Sequence, residues 1–266
     1  MKNQLYTLLI FAALIISCKD KTADTVLPKG PSIEEEIDQL PPINAPQIEQ
    51  LQVKSMDVSL KLKSSNSGPV NFTLSYNYDQ AGKLTSVFDG KAEIRKYAYS
   101  PAEVVLSSGE DKTVYKLDEN NRAIQDSRDY YYYYKNGFLV KSNTNTTSSY
   151  SYTSDGDLLK YTATANHGDV NLNREASYSY YDIENNIRQE VLGTVTFHWT
   201  FRDSFLGNYS THLIKTAYIK EGSEESILSF TYEFDDQNRV SKVIIDREGL
   251  NNNSSADAII TYKLNY

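Results

Sequence analysis

A single cysteine, Cys18, stands at the end of an apolar run, LYTLLIFAALIISC, and a lone thiol can be acylated, oxidised or bound to a metal. Its surroundings have the form of a signal peptide. Lys2 supplies a positive start, and the run from Leu5 to Ile16 is well short of the roughly 20 residues that a spanning helix requires. Ser17 then offers the small residue that a signal peptidase cleaves behind. The run is read as a signal peptide. Cys18 is the only cysteine, so no second thiol exists for a disulfide or a thiolate cluster.

Other reactive side chains are present without a reactive pattern. His167, His198 and His212 stand apart, with no H-E-x-x-H and no G-x-S-x-G, so no catalytic, cofactor-binding or metal residues are assigned and the chain is read as a non-enzyme. His198 adjoins the one tryptophan, Trp199, where a cross-strand packing pair is the simpler reading. Five consecutive tyrosines, Tyr130 to Tyr134, are the most unusual local feature. In a strand they alternate: Tyr130, Tyr132 and Tyr134 face the core, and Tyr131 and Tyr133 form an outward aromatic platform on which a sugar ring or peptide could stack. Once Lys2 is cleaved, 26 basic side chains face 35 acidic ones, a net of −9. That balance excludes a nucleic-acid partner bound through a basic stripe.

The elements that must position these residues are legible from pattern. Residues 18–47 are rich in Pro and charge and read as a flexible tether. Within it Ser32 and Glu35 have capping-box spacing, so Ile33 to Leu40 is expected to form one or two helical turns before Pro41. Residues 48–266 form one domain of period-two alternation: Phe72, Leu74, Tyr76 and Tyr78 oppose Thr73, Ser75 and Asn77, and Leu228, Phe230, Tyr232 and Phe234 repeat the scheme.

A heptad, aromatic-Asp-x-x-(Gly/Asn)-(Lys/Arg)-aliphatic, punctuates the strands. It begins at Tyr78, Leu117, Tyr181 and Phe234, with looser copies at Tyr99, Tyr134 and Tyr152 and a degenerate one at Phe201. Asp can accept a hydrogen bond from the backbone two residues on, and Gly or Asn tolerates the left-handed conformation that closes a hairpin. Gly82, Asn121, Gly156, Asn185 and Asn238 are therefore expected at equivalent turns. Most copies lie 17 to 21 residues apart, one hairpin each. The expected fold is all-β: a long antiparallel meander of about 14–16 strands, curved or barrel-like, since open twisted sheets rarely exceed about 10 strands. The segment SFLGNYSTHLIK interrupts the spacing as a longer loop or short helix.

The heptad resembles the tyrosine-aspartate repeat of Rhs-type toxins and teneurins. Ile15-Ile16-Ser17-Cys18 resembles the lipobox of bacterial lipoproteins, which implies removal of residues 1–17 and lipidation of Cys18 at the new N-terminus, so that residues 18–47 are a lipidated tether. Lipobox, tether and hairpin repeats together are similar to a family of Bacteroidota lipoproteins with a porin-like fold. The resemblance implies a barrel-like sheet held at the outer membrane by its lipid, and brings no catalytic residues. The expected role is a binding module for glycan, peptide or lipid. An accessory subunit of an envelope complex is the alternative.

Cys18 gives the first test. An alkyne fatty acid fed to cells should tag the wild-type protein and leave Cys18→Ala unlabelled; an untagged wild type retaining residues 1–17 would remove the lipoprotein assignment.

Overall fold

The structure, a computed structural model, describes residues 32–165, 173–193, 202–250 and 257–266. Alternation resolves into sixteen antiparallel strands: β1 (Ser55–Leu62), β2 (Val70–Tyr78), β3 (Leu84–Asp89), β4 (Ala92–Tyr99), β5 (Glu103–Ser108), β6 (Asp111–Leu117), β7 (Ala123–Asp126), β8 (Tyr131–Lys135), β9 (Phe138–Asn143), β10 (Thr146–Tyr152), β11 (Leu158–Ala165), β12 (Arg174–Glu184), β13 (His212–Glu221), β14 (Glu224–Phe234), β15 (Val240–Gly249) and β16 (Ala258–Asn265). Each pairs with its neighbours in sequence. β1 also pairs with β16, from Ser55 opposite Asn265 to Leu62 opposite Ala258, so the meander closes into a barrel. Closure removes the unpaired edges at which so wide a sheet would otherwise aggregate.

The two faces of the wall differ in chemistry. Leu74, Tyr76, Leu228, Phe230, Val243, Ile245 and Tyr262 point inward and are buried. Outside, Thr73 donates to Asp57 at 2.7 Å, and ion pairs join Lys242 to Glu233, Lys160 to Glu175 and Lys63 to Asp246 at 2.5–2.6 Å. Exposed pairs of this kind contribute about 0–1 kcal/mol each, and their main effect is on solvation. Such pairs interrupt the outer face with charge at those positions. Among the described residues no helix is long and apolar enough to cross a membrane.

Heptad turns lie at one rim, where the even strands end and the odd strands begin, and that rim is covered. After β12 the chain leaves the wall, and α2 (Gln189–Gly193) with a 3₁₀ turn at Ser204–Leu206 packs Ile187, Val191, Leu192 and Phe205 into the same core as the strands. This departure corrects one expected turn. Asn185 closes no hairpin: β12 runs through its heptad to Glu184, and Asn185 is buried, donating to the Ser210 carbonyl and accepting from Ile187 N–H. Its amide serves the connection into the barrel. The segment SFLGNYSTHLIK is the 3₁₀ turn, a loop and the start of β13.

The N-terminal segment covers the same rim. Leu51 bridges to Ile187, Asn44 N–H donates to the Ser154 carbonyl at 2.7 Å, and Val53 is fully buried. Upstream, the capping box forms as expected, with Ser32 Oγ and the Glu35 carboxylate each taking the other's backbone N–H, and α1 (Ile33–Asp38) follows. Glu36 pairs with Lys141 at 2.8 Å, and Lys135 donates to the Asp38 carbonyl. Residues 32–47, read from composition as flexible tether, thus lie against the barrel, because Ile43 finds a buried site and α1 a basic strip on β8 and β9. Cys18, His167, His198 and Trp199 lie outside the described residues.

The covered rim leaves little room at its turns. A Cβ on Gly156, at φ 93°, would come within 2.5 Å of the Ala45 Cβ and 2.8 Å of Phe138, whereas one on Gly109, at φ 60° on the opposite rim, meets nothing within 4 Å. Gly109→Ala should cost only backbone strain, about 1–3 kcal/mol. Gly156→Ala should cost more in urea unfolding and should also render residues 41–47 sensitive to protease.

Candidate functional site

Four of the heptad turns share one geometry. Asp79, Asp118, Thr153 and Asp235 each receive a backbone hydrogen bond at their carbonyl from the residue three on, and each donates to the carbonyl four on, at 2.8–3.2 Å. Their side chains then accept from the backbone N–H four on, and in Asp118 and Asp235 also from the residue two on. Gly82, Asn121, Gly156 and Asn238 take the expected positive φ. Each turn is followed by a bulge in the flanking pair.

The Lys/Arg position has a role that periodicity could not reveal. Arg122 and Arg239 bind the Asp of their own turn at 2.7 Å and stack over the aromatic ring ending a later even strand, Tyr134 and Tyr266, at 5.1 and 4.7 Å. Lys83 sits likewise over Tyr99 at 5.1 Å. Those tyrosines form a second link. The hydroxyls of Tyr78, Tyr134, Tyr152, Tyr180, Tyr232 and Tyr266 donate at 2.7–2.9 Å to the carbonyls of Val53, Ala123, Leu139, Leu158, Ile214 and Val240, each at the entry to the preceding odd strand.

Between these turns and the rim-covering segments lies a cleft in two adjoining parts, of about 320 and 550 Å³, which share Gln47, Asn136 and Asn208. Asn120 and Asn121 enter from the turn at Asp118, and Lys83, Tyr99 and Arg122 complete the wall. Local folding fixes the frame: Asn136 Oδ1 accepts from Ile43 N–H at 3.2 Å, and Asn208 N–H donates to the Gly137 carbonyl at 2.9 Å. The volumes suit a small ligand. Each side-chain amide offers both a donor and an acceptor, the pairing that neighbouring hydroxyls require. None of these residues was singled out in sequence as a site, because Asn and Gly in turns look like turn chemistry whatever else they do.

The tyrosine platform lies away from this cleft, on the outer wall. Tyr131 and Tyr133 do occupy the outer face of β8, Tyr131 41% exposed and Tyr133 half-buried, with Glu34 and Lys141 close enough to perturb its phenol. Burial raises the Tyr133 phenol above its ordinary range, with Glu34 adding to the rise. Tyr132 and Tyr134 face inward, donating to Asp126 and to the Ala123 carbonyl. Tyr130 departs from the expected alternation. It precedes β8 in the turn from Asp126, stacks under Arg128 and donates to Asn145 at the surface, because the strand has not begun.

His212 is brought to Asp157 across 55 positions, Nδ1 to Oδ2 at 2.7 Å. Thr211 Oγ1 reaches the same ring nitrogen at 3.3 Å and also binds the Asp155 carbonyl. Sharing one nitrogen, the three groups staple the turn after β10 to the start of β13 and do not line up a nucleophile with its base. Among the described residues no group of three His, Cys, Asp or Glu side chains gathers as a metal site.

This architecture matches known proteins in part. Residues 52–182 match the family model described as teneurin YD-shell. A porin-like protein from Bacteroides uniformis has a similar structure, with a TM-score of 0.57 at 15% identity over 84% of this chain and all of that one. Parts of the TcdB2-TccC3 complexes, with Cdc42 and without the hypervariable C-terminal region, align at TM-scores of 0.26 and 0.27 and 15% and 14% identity, over 68% and 76% of this chain but only 9% and 11% of theirs. No curated protein matches the sequence. The chain thus resembles tyrosine-aspartate repeat proteins over residues 52–182 and shares the fold of the porin-like protein.

Acid should expose the turn carboxylates. Asp118 is held below the usual carboxylate range: burial works against this, but the Arg122 side chain, its backbone N–H and its charge prevail. Arg239 lowers Asp235 in the same way, first through its side-chain hydrogen bond. A depressed folded value stabilises above the unfolded value, about 4, and the benefit fades as pH falls through the folded one. Asp118→Asn/Asp235→Asn should therefore have a lower urea midpoint than wild type at neutral pH, with the gap closing as the pH falls below the ordinary carboxylate value of about 4.

Proposed function

We propose that the protein is an envelope lipoprotein, anchored at the outer membrane through Cys18, whose barrel binds a polyhydroxylated ligand in the rim cleft. The observation carrying this reading is the concentration of amides, Gln47, Asn120, Asn121, Asn136 and Asn208, around a concavity framed by rigid turns. Such groups read hydroxyl patterns, and hairpin turns pinned by their own Asp side chains hold them with little entropy left to lose on binding. The lipobox supports the anchor, and the likeness to a porin-like protein supports an envelope setting. The charged outer wall favours a barrel in water beside the membrane, with the lipid making the attachment. Several acyl chains, at about 0.8 kcal/mol per buried methylene, suffice for that.

The outward Tyr131 and Tyr133 support the accessory-subunit reading, since an exposed aromatic beside α1 offers a protein contact.

An oligosaccharide array probed with the full-length protein in detergent tests the main reading. Binding should weaken about tenfold in Gln47→Ala/Asn208→Ala, two hydrogen bonds at about 0.5–1.5 kcal/mol each, with an unchanged melting temperature because both residues are exposed. Binding retained in that variant but lost in Tyr131→Ala/Tyr133→Ala would move the site to the outer wall.

A further inference from the structure

The cleft has a charge signature that the rest of the chain does not share. The protein carries 35 acidic against 27 basic side chains, yet no Asp or Glu lines either part of the cleft, while Lys83 and Arg122 do. The two cations differ. Arg122 is committed to Asp118 at 2.7 Å, whereas Lys83 has no ion pair among the described residues and rests over the Tyr99 ring. Tyr99 offers it no counter-charge: burial, with Glu190 and Asp203 beyond, raises the phenol far above its ordinary range and keeps it neutral. The Asp79 carboxylate accepts from the backbone N–H of Lys83.

We propose that the ligand is an acidic saccharide, a hexuronate-containing chain whose carboxylate meets Lys83 while the amides take its hydroxyls. This rests on the binding reading above and narrows it. Charge selects through repulsion as well as attraction: elsewhere on so acidic a surface an anionic sugar meets like charge, whereas no carboxylate lines this cleft and Glu190, behind it, is paired with Arg188. The single ammonium, on a flexible stem, suits one carboxylate without fixing its plane. Five amides set around it then supply the orientation that a point charge lacks.

The test is calorimetric titration of the full-length protein in detergent with trisaccharides of galacturonate, glucuronate, mannuronate and guluronate, with their carboxyl-reduced counterparts, and with phosphate and citrate. At least one hexuronate should bind about tenfold more tightly than its reduced form. Lys83→Gln and added salt should both erase that difference, and Lys83→Arg should keep most of it. Equal binding of an acidic sugar and its reduced form, unaffected by Lys83→Gln, overturns the charge assignment and leaves the saccharide reading standing. If neither form of any sugar binds, both fall. Phosphate or citrate binding as tightly as the best hexuronate overturns the saccharide and leaves a simple anion site.

Discussion

The barrel depends on one small contact repeated around its covered rim: a tyrosine at the end of an even strand donates its hydroxyl to the carbonyl at the entry of the odd strand before it. A bulge there leaves the ladder short of partners, so the phenol satisfies a carbonyl that the sheet cannot. Each such bond contributes about 0.5–1.5 kcal/mol. The aromatic body contributes more by filling the interior, and the cation from another turn closes over the ring. Because the Arg that covers one tyrosine also holds the Asp of its own turn, neighbouring hairpins are fastened to each other as well as within themselves.

That fastening lets the core accept charges that would otherwise be costly. Glu190, 3% exposed, pairs with Arg188 at 2.6 Å and accepts from Tyr209 and from Ser204 N–H. Arg188 in turn stacks over Tyr78 and donates to the Gly82 carbonyl, tying the inserted segment to the first heptad turn. Arg202 is equally buried but has no carboxylate partner among the described residues. It lies over Tyr150 and donates to the Tyr152 hydroxyl, and although burial opposes its charge these phenols hold it in the charged form. The inserted segment is thus attached to the wall by polar contacts with tyrosines, and the cleft floor inherits its position from them.

Much of the fold was legible because a repeated heptad is a repeated constraint. Asp118 and Asp235 announce their turns, Asn121 and Asn238 their positive φ, and the interval between copies fixes two strands per unit. At Tyr181 the heptad is present and the hairpin is not, since Ile187, Val191 and Leu192 gain more by entering the interior than a turn at Asn185 would give. Residues 32–47 misled for the converse reason: their composition is that of a linker, and only the basic strip made by Lys135 and Lys141, far along the chain, gives α1 a place to lie. The cleft was invisible because it joins Gln47, Asn121, Asn136 and Asn208, four polar residues with no common spacing.

Closure of β1 on β16 turns chain length into a whole-number variable. With neighbouring strands about 4.8 Å apart, one extra hairpin widens the circumference by about 10 Å, and a single extra strand would reverse every direction after it. Duplication of a repeat is therefore admissible only as a complete hairpin, and only if the segment between β12 and β13 lengthens to fill the wider bore. The lineage of such proteins should advance in steps of two strands, each step recorded as a change in the size of the inserted segment.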